Sequence, residues 1–121
     1  MQVKKLMNVI FLAGVVILGA CEYATITPDV PSPTQTVSFS NDLIPFFQIS
    51  CAGCHKSGGP APDLTSANAY QSLVSNNMFV PNNAAGSILY QKVSTGSMVQ
   101  YSNATSTQLV KNWINQGGKN N

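Results

Sequence analysis

Apolar positions along this chain fall into blocks separated by polar, proline-rich or glycine-rich stretches, and each block has its own spacing. The first, Leu6 to Ile17, is nearly continuous and is interrupted only by Asn8 and Gly14, behind a short positive start at Lys4 and Lys5. A bilayer span usually needs about twenty apolar residues, so this run fits an export signal over residues 1–20 better than a permanent transmembrane helix. Residues 22–37 have no helical period and contain Pro28, Pro31 and Pro33, the composition of an extended tether, the alternative being an N-terminal strand packed on the domain. At about 3.1 Å per residue such a tether spans up to roughly 50 Å.

From Ser38 onward the spacing turns helical, and residues 38–121 read as one small domain. Asp42 has the character of an N-cap, which puts Pro45 in the first turn of a helix whose apolar members are Leu43, Ile44, Phe46, Phe47 and Ile49. Thr65 or Ser66 is placed to cap a second helix through Val74, with Tyr70, Leu73 and Val74 inward. A third runs from about Ala84 or Ser87 to Val93 and offers Ile88, Leu89 and Val93 to a core. In the last helix Thr105 and Gln108 are spaced as a capping box, Leu109, Val110, Trp113 and Ile114 form one apolar stripe, and Gly117 stands at the end. The expected fold class is all-α, with three to four helices.

Charge changes the picture mainly by exclusion. Charged residues are 8% of the chain, against about 25% in typical soluble domains. After the first twenty residues, Lys56, Lys92, Lys111 and Lys119 balance Glu22, Asp29, Asp42 and Asp63, and the chain has no arginine. No basic face for nucleic acid is present in that pattern.

The chemistry is concentrated in Cys51-Ala52-Gly53-Cys54-His55, a Cys-x-x-Cys-His run of the kind that attaches haem covalently. Two thiols two residues apart reach two vinyl groups on one porphyrin edge, and the next residue carries an imidazole under the ring toward iron. A redox dithiol and half of a zinc site are the competing readings. Zinc needs four ligands, and beyond residue 21 the chain has no other Cys or His; a thioredoxin-like dithiol needs an alternation of strands and helices that the pattern does not show. In a domain this small, a buried flat ring would also supply apolar centre to a thin core. His55 is the only histidine, so bis-histidine ligation within one chain is excluded. Met98 and Met78 are the methionines left for the opposite face, and absence of a strong sixth ligand stays open.

Two resemblances add to this reading. Leu18-Gly19-Ala20-Cys21 resembles the lipobox of bacterial lipoproteins, which implies cleavage before Cys21 and acylation of its sulfur. That leaves no odd thiol and holds the protein on the lipid of the cell envelope, with the outer membrane favoured and the domain facing periplasm or exterior. Residues 38–118 resemble class I c-type cytochromes, and especially small lipoprotein cytochromes. The resemblance is carried by the haem motif, by Phe47 four residues ahead of Cys51, by Ala61-Pro62-Asp63-Leu64, by Ser87-Ile88-Leu89-Tyr90 and by Trp113-Ile114-Asn115-Gln116-Gly117. It implies crossed terminal helices in which Val110 and Trp113 meet Phe47, and a methionine in the loop before the last helix, where Met98 stands. It also implies a proline carbonyl on the second nitrogen of His55, with Pro62 favoured over Pro60, and Leu64 packed on the ring. Two residues depart from the family pattern: Ala61 stands for the usual glycine, and Val99 for the proline that often follows the methionine.

The resemblance implies a one-electron carrier with one covalent haem c, transient redox protein partners, and no small-molecule substrate. Haem propionates would be met by Lys92, Lys56, Tyr70, Tyr90 or backbone amides, and Trp113 either packs in the core or points its indole at a propionate. An open sixth site would instead make a small-gas sensor or a peroxidase-like enzyme, and a chain without haem would be an anchored interaction module.

Overall fold

The computed structural model describes residues 29–121. Among them are four α-helices and no strand beyond an isolated bridge between Val80 and Asn83, as the all-α pattern anticipates. The helices are α1 (Ile44–Ser50), α2 (Ala69–Ser75), α3 (Ile88–Ser94) and α4 (Ala104–Asn115). A π-helical turn, Phe39–Leu43, leads into α1, and a 3₁₀ turn, Val99–Tyr101, stands between α3 and α4. None of these helices is long and apolar enough to cross a membrane. The export signal and Cys21 lie outside the described residues.

The helix starts differ from those the sequence suggests, and each for a local reason. Ser38, not Asp42, caps the first helical segment: the Ser38 hydroxyl accepts from the Asn41 amide, and the Asp42 carboxylate reaches back 2.7 Å to accept from the Ser38 amide. The π register changes to α at Ile44 and Pro45, where proline has no amide hydrogen to give to either ladder. Asp63 holds the turn ahead of α2 through the amide and hydroxyl of Thr65 and the side-chain amide of Asn68, so that helix begins at Ala69 and neither Thr65 nor Ser66 caps it. The capping box of α4 is Asn103 with Ser106 rather than Thr105 with Gln108. Its C-terminus matches expectation. The Gly117 amide donates to Ile114 and the Gly118 amide to Trp113, with both glycines in the left-handed region.

The core joins these elements through aromatic side chains. Phe39 sits between Phe47, Tyr70 and Trp113 at centroid separations of 6.1, 5.3 and 5.2 Å, and Phe79 lies 4.6 Å from Trp113 on its other side. The aromatic rings around Trp113 are Phe39, Tyr70 and Phe79, with no stacking pair to Phe47, and the last helix meets the opening helical segment at the π turn. Leu43, Leu73, Val110 and Ile114 are fully buried around this cluster. Val74 and Ile88, expected inside, are exposed because their helices are single-faced and the inward positions are taken by Ala69, Leu73, Leu89 and Val93.

The tether expected over residues 22–37 is not free at its C-terminal end. Pro31 and Val37 are buried, the Asn112 side chain donates to Ser32 O at 2.7 Å, and Gln116 both donates to Gln35 O and accepts from the Val37 amide. An extended segment has unpaired backbone groups, and the amide side chains on α4 supply partners at matching spacing. Residues 29–37 are a strap on α4.

Candidate functional site

The Cys-x-x-Cys-His run begins where α1 stops. The amides of Cys51 and Ala52 both turn back to Phe47 O, and those of Cys54 and His55 to Cys51 O, so the motif is wound as consecutive tight turns directly off the helix. Residues 56–63 then form a closed loop: the Leu64 amide donates to His55 O at 2.8 Å, the Gln48 side chain donates to Leu64 O, and the Asp63 amide donates to Ser72 Oγ on α2. Gly59 is required there, since a Cβ at that position would run into the Cys54 carbonyl.

This loop brings two carbonyls to one imidazole nitrogen. His55 Nδ1 lies 3.1 Å from Pro60 O and 3.2 Å from Pro62 O. Carbonyls only accept, so Nδ1 carries the hydrogen and the Nε2 lone pair is left for a Lewis acid. Both prolines serve, where the sequence favoured Pro62 over Pro60.

His55 borders a cavity of about 510 Å³, inside the range of roughly 300–1,000 Å³ typical of cofactor and ligand sites. Cys51, Cys54, Pro62 and Leu64 line one side of it. The other side is built from α3 and the segment after it: Leu89, Lys92, Val93, Ser97, Met98 and Tyr101, together with Met78. Backbone bonds fix that side, from the Met98 amide to Lys92 O and from the Leu89 amide to Met78 O. Both candidate thioethers, Met78 and Met98, therefore face the space that His55 faces.

The thiols differ in environment. Cys54 is exposed, whereas burial pushes the Cys51 thiol up to about 11. Among the described residues no cluster of three or more His, Cys, Asp and Glu side chains could hold a metal ion by itself. A haem, whose four equatorial ligands are its own, fits the residues present: two unpaired thiols, an imidazole of fixed tautomer and an apolar space between two walls.

Not every predicted residue is here. Trp113 is in the core, 1% exposed, and its indole donates to Lys119 O at 2.8 Å, so it neither lines the cavity nor has an N–H to give a propionate. Tyr70 gives its hydroxyl to Gly118 O, and neither Tyr90 nor Lys56 borders the cavity. Of the four side chains suggested for the propionates, Lys92 is the one on the wall. Ile49, Leu89, Val93, Ser97 and Tyr101 line the cavity without having been singled out as site residues. The spacing of Leu89 and Val93 marks an apolar face, which a core and a cofactor wall share. Ile49, two residues before the motif, lines the cavity while 87% exposed, which its place in the apolar pattern does not show.

No protein-family model, curated protein or solved structure matches this chain.

Proposed function

We propose that the chain is a one-electron carrier of the class I c-type cytochrome kind, with one covalent haem c ligated by His55 and Met98 and a lipid anchor at Cys21. The observation that carries this reading is the pair of carbonyls on His55 Nδ1, set in the sequence Cys-x-x-Cys-His beside an apolar cavity. An imidazole held in this way is orientated and made more basic, as an axial ligand requires.

The chain's own groups divide the work. Cys51 and Cys54 would hold the haem through thioether bonds to its two vinyl groups, each S–H adding across a C=C so that no external oxidant or reductant would be needed. His55 offers Nε2 while Pro60 and Pro62 prevent the ring from turning. Met98 offers a thioether from the segment ahead of α4, and Leu64, Leu89 and Val93 exclude water. Haem c, when bound, would supply a ferric/ferrous couple, which a thioether together with an imidazole would poise toward the ferrous side.

The test is the absorption spectrum of protein made with the cytochrome maturation machinery. A c-type reduced spectrum with the weak sulfur-to-ferric-iron band is expected, and Met98→Ala removes that band while Met78→Ala retains it. The reverse pattern overturns the ligand assignment. Ready carbon monoxide binding to the reduced wild type overturns the closed site in favour of a gas sensor or peroxidase-like enzyme. Cys21→Ser is expected to move the protein from the membrane to the soluble fraction; continued membrane retention removes the lipid anchor from the proposal.

A further inference from the structure

The cavity wall holds a single charged side chain. Lys92 is in the last turn of α3, its ammonium is 3.4 Å from Ser97 Oγ, and no aspartate or glutamate shares the wall. Exposed Tyr101 lines the same side. A wall otherwise apolar or neutral, with one cation beside the Ser97 hydroxyl, suits a flat apolar ligand that ends in a carboxylate: the ring is desolvated inside and the acid stays at the wet edge, where an ammonium and a hydroxyl donor meet it. Lys92 has a long apolar stem, which lets its charge stay at the rim while the methylenes lie on the wall.

We infer that Lys92, with Ser97, is the carboxylate anchor of this cavity, and that it takes one haem propionate. This rests on the haem reading above. The chain has no arginine, and Tyr70 and Trp113 have given their donors to Gly118 O and Lys119 O. Positive charge beside the ring also opposes oxidation of iron, so Lys92 is a positioning residue that holds the potential up.

The experiment uses the full-length holoprotein and compares Lys92→Gln, Lys92→Arg and, as a control off the cavity, Lys56→Gln. Lys92→Gln is expected to shift the ratio of reduced to oxidised protein at a fixed poise by about threefold toward the oxidised form, the scale of one solvent-screened charge. It is also expected to lower the frequency of a propionate bending mode in the resonance Raman spectrum. Lys92→Arg restores both, and Lys56→Gln changes neither. Wild-type values of both observables in Lys92→Gln, or an equal shift of both in Lys56→Gln, overturn the assignment. Failure of the wild-type chain to acquire covalent haem is a separate result that overturns the haem reading itself.

Discussion

Individual residues carry two kinds of consequence here, chemical and conformational. The Asp63 carboxyl is held below its ordinary 3.8 by the hydroxyl and amide of Thr65, with a smaller contribution from Asn68. A depressed folded-state pKa stabilises the fold at pH above the unfolded value, and that contribution disappears as pH falls through the folded value. Asp63→Asn is therefore expected to be less stable than the wild type at pH 6, with the gap closing below pH 4 in denaturant titrations across pH. Thiol chemistry separates in the same way. A Cys51 pKa moved from 9.0 to about 11 leaves roughly a hundredfold less thiolate than an ordinary thiol has at neutral pH, so in protein folded without haem, iodoacetamide followed by peptide mapping finds Cys54 modified first. Gly118 is a conformational case. Its φ is +62° and a Cβ there would collide with the Phe79 ring, so Gly118→Ala is expected to destabilise by more than the usual ~1 kcal/mol for a glycine cap, read as a lowered Tm.

At the scale of elements, helix existence was legible in the sequence and helix starts were not. The apolar spacing of Leu43 with Phe47 and of Val110 with Trp113 and Ile114 marks faces that only a helix can bury together. Starts depend on which of several adjacent polar side chains wins a backbone amide, and Ser38, Asn103 and Asp63 win because of bonds made within a few residues, at spacings that Asp42, Thr105 and Thr65 satisfy nearly as well on paper. The box at α4 gives a direct test. Asn103→Ala is expected to cost about 1 kcal/mol in chemical unfolding and Gln108→Ala markedly less at the cap, the opposite of what the Thr105/Gln108 pattern implies.

At the scale of the whole molecule, the strap and the aromatic cluster tie residues 29–40 to the last helix and the residues after it. The carbonyl and side chain of Asn121 accept from the amides of Ser40 and Phe39, while α4 holds residues 32–37. Asn112→Ala, which removes the bond to Ser32 O, is expected to loosen the strap and expose it to limited proteolysis.

By itself the sequence determined the helical class, the two thiols and imidazole at residues 51–55, and the pool of side chains able to serve them, because these depend on residue type and on separations of a few positions. Only the tertiary structure decided which members of that pool share one space. It put Lys92, Met98 and Met78 on the cavity wall and gave both Pro60 and Pro62 to His55. It sent Trp113 and Tyr70 to core partners and folded residues 29–37 onto α4. Apart from the proline carbonyls on His55 and the bond of the Trp113 indole, which stay within seven residues, those assignments join positions tens of residues apart, and each polar group goes to whichever partner the packing of the whole chain leaves nearest.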